Sequence, residues 1–287
     1  MPEPPLPVDP VLIEPGDLAV LLGAEQPPVL ADVRWVLGGP SQQAAYEEAH
    51  LPGACWVDLE AVLTAPPGTG GRHPLPAAHV FEAAMRRIGL DNDALLVAYD
   101  AADSLAASRL WWLLTDVGHR HVRVLNGGLA AWQEAGLPTV SGPSPSVRSG
   151  DFVVRPGQRA QFNGAQLHGG LDSAAAPVLV DVRTAERYSG ESEPIDPVAG
   201  HIPGAINLPS MANVDPTGRF LDPARLRERY SSVGAADGAV LYCGSGITAA
   251  HSLLAMESAG LTAAIYPGSW SEWITDPDRT VAVGEQP

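Results

Sequence analysis

The sequence predicts an α/β fold built as two tandem halves, each a mostly parallel sheet with helices on both faces. Three observations carry this: short apolar, β-prone runs alternate with helical segments, the same motifs recur in the same order along the chain, and the runs end in glycine-containing turns. In the first half, Val29-Leu30-Ala31 reads as a buried strand. Phe81, Met85 and Ile88 then fall on one helical face that Gly89 stops. Leu95 to Tyr99 is a second strand, Leu105 to Val117 a second helix, and Val122 to Leu125 a third strand. In the second half, Val178-Leu179-Val180 is a strand and Asp222-Pro223 supplies an N-cap and first-turn pair for a helix to about Tyr230. Ala239 to Tyr242 is a buried strand, and Ile247 to Ala259 a helix ended by Gly260. Such alternation implies right-handed βαβ crossovers.

The duplication is explicit. Asp32-Val33-Arg34 recurs as Asp181-Val182-Arg183, a shift of 181 − 32 = 149, and His50-Leu51-Pro52-Gly53-Ala54 as His201-Ile202-Pro203-Gly204-Ala205, a shift of 201 − 50 = 151. Asp100 aligns with Cys243 (243 − 100 = 143) and Trp132 with Trp273 (273 − 132 = 141). Four ordered matches at nearly one spacing describe a duplicated domain, not a short-period solenoid. The Pro-, Ser- and Gly-rich stretch from Gly136 to Pro156 reads as the connection, giving domains at residues 1–138 and 157–287 with a linker at 139–156. Whether Val147 to Arg155 packs on a domain surface is not decided by the sequence.

With 287 residues, 45% of them hydrophobic, the chain can fill two cores. Its formal charge of −16 argues against nucleic acid and anionic membranes as partners, so any anionic ligand must be drawn by local positive groups. Two cysteines, Cys55 and Cys243, give neither a disulfide framework nor a cysteine-rich metal site, and no zinc, nucleotide or haem motif is present; a cofactor-free protein is expected. Met1 to Pro7 lacks the basic start and apolar core of a signal peptide, and no stretch approaches a membrane span, which points to a cytoplasmic protein.

Chemistry concentrates at Cys243-Gly244-Ser245-Gly246-Ile247-Thr248. The cysteine sits where a strand gives way to a helix, beyond the carboxyl end of the sheet, where ligands bind in such folds. Unpaired amides and the helix dipole there favour a thiolate, lowering a cysteine pKa from about 8.5 into roughly the 3.5–7.5 range. Gly244 and Gly246 let the loop curl into an anion-binding nest. The matching position in the first half is Asp100, followed by Ala101-Ala102-Asp103-Ser104 without the glycine pair. That half is therefore expected to be catalytically silent and to shape the other's site.

The tandem pattern resembles the two-domain rhodanese family of sulfurtransferases, and the resemblance spans about residues 11 to 280. It rests on the paired Asp-Val-Arg and His-(Leu/Ile)-Pro-Gly-Ala motifs, Gly71-Arg72-His73-Pro74-Leu75-Pro76, Arg109-Leu110-Trp111-Trp112, the Cys243 loop, and Gly268-Ser269-Trp270-Ser271-Glu272-Trp273. The loop is similar to that of 3-mercaptopyruvate sulfurtransferases; thiosulfate-using members usually carry basic residues after the cysteine. The resemblance implies a Cys243 persulfide formed from 3-mercaptopyruvate and passed to a small thiol, a thioredoxin-like protein or cyanide. It further implies Ser245 relayed to His73 as the acid, Glu60 where the family has an aspartate (Asp58 being the nearby alternative), and Arg187 on the substrate carboxylate. Amides of Gly244, Gly246, Ile247 and Thr248 would hold the persulfide anion. One departure stands out: the family's second arginine, a few residues beyond Arg187, is absent from Glu193-Pro194-Ile195-Asp196. Weak mercaptopyruvate activity, another thiolated donor, or an arginine from elsewhere all fit that gap.

Alternatives are thiosulfate:cyanide transfer, or a non-catalytic persulfide carrier or redox sensor. Phosphatase chemistry of the related Cys-(five residues)-Arg type is disfavoured, because Ala249 stands sixth after Cys243. Arg34 and Arg183 are expected in structural ion pairs, His50 and His201 as turn-fixing hydrogen bonders, Trp270 and Trp273 in the core, and Cys55 as inert packing.

Overall fold

The computed structural model describes residues 10–171, 173 and 176–287; Met1 to Pro7, read above for the absence of a signal peptide, lie outside them. The first sheet contains β1 (Leu12–Ile13), β2 (Val29–Asp32), β3 (Cys55–Trp56), β4 (Leu96–Tyr99) and β5 (Val122–Leu125), in the order β1-β5-β4-β2-β3. The second contains β6 (Leu179–Asp181), β7 (Ile206–Asn207), β8 (Asp237–Tyr242) and β9 (Thr262–Ile265), in the order β7-β6-β8-β9. Every pairing is parallel, so helices must return the chain. These are α1 (Pro15–Leu22), α2 (Gln43–Glu48), α3 (Ala78–Arg87), α4 (Leu105–Asp116) and α5 (Gly128–Glu134) in the first half. In the second they are α6 (Gly164–Gly170), α7 (Ala185–Ser189), α8 (Pro223–Ser231), α9 (Ile247–Ser258) and α10 (Ser269–Trp273).

Register reproduces the duplication. Asp32 pairs with Tyr99 on β2 and β4, and Asp181 with Tyr242 on β6 and β8. Asp100 and Cys243 are the next residues on the central strands. The edge strand β1 has only a trace in the second half, a bridge between Gln161 and Ile265. Local signals behave as the sequence suggests. Asp222 accepts from the amides of Ala224 and Arg225 ahead of Pro223, and Gly260, at φ +72°, closes α9 in a conformation that a side chain would strain.

The core departs from the expectation of two separate cores. Helices α4 and α9 lie against each other, and one apolar cluster runs through both halves, from Ala31, Leu110 and Leu113 to Leu241, Leu253 and Leu254. Smaller clusters line each sheet's outer face, around Leu18, Tyr46 and Trp132 and around Tyr188, Trp270 and Trp273. The halves therefore meet through buried helices rather than through polar surfaces, which fixes their relative placement.

The connecting segment is also ordered. The Gly150 amide donates to Arg86 O, Phe152 N to Leu90 O and Arg155 N to Val117 O, while Asp151 receives Asn92. Phe152 is buried in the shared cluster, edge-on to Phe81. The strap is thus bound along the first half, a role its polar composition concealed. Among the described residues no helix is long and apolar enough to cross a membrane. Phe152→Ala should lower the unfolding free energy by about 3–5 kcal/mol, the usual cost of emptying a buried phenylalanine site, as read by urea denaturation.

Candidate active site

The repeated motifs build the platform. Asp32 receives Arg34 through its Nε and Nη2, and Arg34 donates onward to Ala45 O and Ala49 O; Asp181 receives Arg183 likewise, with Arg183 Nη2 on Gly200 O. Both arginines are structural, as anticipated. His50 Nδ1 meets Tyr46 O at 2.8 Å and His201 Nδ1 meets Tyr188 O at 2.9 Å, each ring stacked on that tyrosine, so both histidines fix turns. Trp270 and Trp273 are fully buried. Cys55 is buried on β3, and burial raises its pKa above the ordinary thiol value.

Cys243 follows β8, 2% exposed. Its amide donates to Ser269 Oγ at 3.1 Å, and that hydroxyl donates to Tyr266 O at 2.9 Å, so the backbone at the cysteine is anchored from α10. Gly246 N donates to Cys243 Sγ at 3.1 Å. Gly246 has φ +82° and a Cβ there would stand 2.2 Å from Pro267 O, so only glycine lets the loop turn onto the sulfur. Ile247 and Thr248 begin α9, whose first amides have no intrahelical acceptor and face the loop side of the helix. Of the loop's amides, Gly246 N is the one bonded to sulfur.

Three side chains then converge from the first half. His73 Nδ1 lies 2.7 Å from Ser245 Oγ, and its Nε2 lies 3.4 Å from Glu60 Oε1. Glu60 is half-exposed and is held by Trp35 Nε1 at 2.8 Å, with the Trp35 ring edge-on to His73. With the Nε2 proton directed at Glu60, Nδ1 accepts from the serine hydroxyl. Burial lowers the His73 pKa below 6.5 against the opposing pull of Glu60, so the ring is neutral at pH 7. Ser245, His73 and Glu60 are brought together as the sequence suggests. Asp58 is not part of this group: its carboxylate accepts from Ala61 N and caps the π-helical turn Leu59–Leu63.

Two arginines crown the loop. A Cβ on Gly244 would stand 2.9 Å from Arg72 Nη2 and 3.3 Å from Arg187 Nη1, which puts both guanidiniums directly over it. Arg187 is expected there; Arg72 is the one the sequence reading passed over, although it adjoins His73 in a quoted motif. Its amide is fixed by Ser271 Oγ at 3.0 Å. A second guanidinium thus reaches the loop from the first half. Arg187 also binds Glu193, which binds Arg183 in turn. Burial pushes the Glu193 pKa up, but hydrogen bonds from Arg187 and from the amides of Asp196 and Ile195 outweigh it and leave Glu193 below the usual carboxylate range. Arg109, on α4, was also missed. Fully buried, it donates to Leu63 O, His73 O and Gly246 O and so ties the histidine segment to the cysteine loop; burial lowers its pKa to about 10.

In the first half, the equivalent nest is filled by its own residue. Asp100 Oδ1 accepts from Ser104 N at 3.0 Å and Oδ2 from Ala106 N and Ala107 N at 3.0 and 3.2 Å, while burial raises its pKa to about 7.

These features define a paired-domain fold with a cysteine nest at the carboxyl end of one central strand. The chain belongs to the rhodanese-like domain family, whose model matches residues 14–135 and 164–276. It is 44% identical over 265 residues to a probable 3-mercaptopyruvate sulfurtransferase of Pseudomonas aeruginosa, covering 90% of this chain and 93% of that one. It is 41% identical over 282 residues to a putative thiosulfate sulfurtransferase, SseB, of Mycobacterium tuberculosis, covering 96% and 97%. The crystal structure of the 3-mercaptopyruvate sulfurtransferase SseA from Escherichia coli superposes with a TM-score of 0.78 at 28% identity, over 91% of this chain and 99% of that chain.

A raised carboxyl pKa in the fold contributes stability that is complete below about pH 3.8 and lost as pH rises through about 7. The melting temperature of Asp100→Asn, measured relative to the parent, should therefore move in the variant's favour between pH 5 and pH 8. A flat difference across that range would contradict the buried, proton-binding carboxyl.

Proposed function

We propose that this sulfurtransferase moves sulfur from 3-mercaptopyruvate through a Cys243 persulfide to a thiol or cyanide. The observation that carries the reading is the 2.7 Å contact of Ser245 Oγ with His73 Nδ1 beside the cysteine. The Cys243 thiolate attacks the donor's sulfur; the new S–S bond forms as the C–S bond breaks, and its electron pair leaves as pyruvate enolate. The proton carried by the transferred sulfur passes to the enolate carbon through Ser245, with His73 as neutral relay and Glu60 orienting it. The persulfide anion then rests on Gly246 N and the open amides of Ile247 and Thr248. Arg187 and Arg72 grip the donor's carboxylate. A nucleophile attacks the outer sulfur and restores the thiolate, giving ping-pong kinetics; a thioredoxin-like protein is the macromolecular acceptor of matching chemistry. The first half, with Asp100 in its nest, takes no sulfur.

The relay is needed only where an enolate must be protonated, because thiosulfate leaves as sulfite. His73→Ala should lower kcat with 3-mercaptopyruvate by roughly 10²–10⁴ and thiosulfate turnover far less, with cyanide as acceptor in both assays. Cys243→Ser should abolish both, and Cys55→Ser should keep most of each. Better turnover of thiosulfate than of 3-mercaptopyruvate by the parent protein would overturn the donor assignment. No turnover of either would favour a persulfide carrier.

A further inference from the structure

The arginine pair over Cys243 already holds a carboxylate. Asp196 Oδ1 pairs with Arg72 Nη1, and its Oδ2 with Arg187 Nη2 at 3.0 Å; the Asp196 side chain is 3% exposed. One carboxylate spread over two guanidiniums is how a substrate acid would be gripped. These are the guanidiniums whose nitrogens overhang Gly244. The group is also electrically balanced: Arg72 and Arg187 face Asp196 and Glu193, so the mouth of the site carries no net charge from these four. The two acids differ in how they are tied. Glu193 is engaged by Arg183, Arg187 and two backbone amides, whereas among the described residues the Asp196 side chain is bonded to the two arginines alone. Ile195 and Val198 beside it are exposed, so the turn carrying Asp196 lies at the surface.

We propose that Asp196 is a specificity-determining residue: an internal carboxylate that competes with anionic ligands for Arg72 and Arg187. A ligand carboxylate must take its place on the arginines, and every negative charge the ligand brings meets the displaced Asp196. The residue therefore penalises a dianion such as thiosulfate more than a monoanion such as 3-mercaptopyruvate. This deepens the donor assignment above and rests on it for its consequence in turnover, but the electrostatic competition can be read without any sulfur donor.

The test is alkylation of Cys243 in a Cys55→Ser background, comparing anionic iodoacetate with neutral iodoacetamide. The iodoacetate-to-iodoacetamide rate ratio should rise on the order of tenfold in Asp196→Asn, and similarly in Asp196→Ser, while the exposed Glu191→Gln leaves it unchanged. An unchanged ratio would overturn the proposal. So would a fall, which would make Asp196 an organiser of the arginines, or an equal acceleration by both reagents, which would mean that the loop had merely opened. In turnover, Asp196→Asn should raise kcat/KM for thiosulfate more than for 3-mercaptopyruvate. A raised alkylation ratio without turnover of either donor would refute the sulfur-transfer reading and leave the role of Asp196 standing.

Discussion

The hydrogen bond between His73 and Ser245 joins residues on opposite halves of the chain, and it forms only because those halves cannot move apart. A histidine on one rigid body can serve a serine on another only if their separation is held within a few tenths of an ångström. Here that constraint is met by α4 lying on α9 and by one apolar cluster that belongs to both halves. Arg109 completes it: its guanidinium touches the carbonyl of His73 on one side and that of Gly246 on the other, a buried strut between the histidine segment and the cysteine loop. Such a charge is costly to bury without acceptors, and the three carbonyls supply them.

Electrostatics at the site work against the character of the whole molecule. A surface of net charge −16 repels anions, yet the loop is topped by two guanidiniums and backed by a helix N-terminus. The positive field is confined to a small mouth and tempered there by Glu193 and Asp196, so anion recognition depends on geometry at the loop rather than on long-range attraction.

The architecture was legible because each strand ends in a repeated motif with a local physical job: Asp32 and Asp181 pairing with their arginines, Tyr99 and Tyr242 accepting from the Leu51 and Ile202 amides. The cysteine loop and the grouping of Ser245, His73 and Glu60 were legible from residue type and resemblance. The arginine pairing was not. Arg72 and Asp196 lie 124 residues apart, and nothing local in either segment signals that they meet. Arg109 enters the sequence reading only as part of a motif, because nothing local distinguishes a fully buried arginine in an apolar helix from one that snorkels to its edge. The polar composition of Val147 to Arg155 leaves open whether it packs on a domain; Phe152, buried in the shared cluster, anchors it.

The occupied nest of the first half bears on how reversible the division of labour between the two copies is. Asp100 fills its pocket with a carboxyl group where the other copy presents the cysteine sulfur, and three amides are satisfied by it. Beyond it the losses are compounded. Ala102 stands where Ser245 would, and in Gly218-Arg219-Phe220, whose glycine lies against Ala102, a phenylalanine takes the sequence position that His73 has in Gly71-Arg72-His73. Restoring a thiol at one position would leave no hydroxyl at the place of Ser245, and the imidazole nearby, His251, is buried against Phe220. The asymmetry is thus spread over several positions: a thiol returned to position 100 would still meet Ala102 and Phe220 where the other copy has Ser245 and His73, so reversing one difference would not rebuild the second nest.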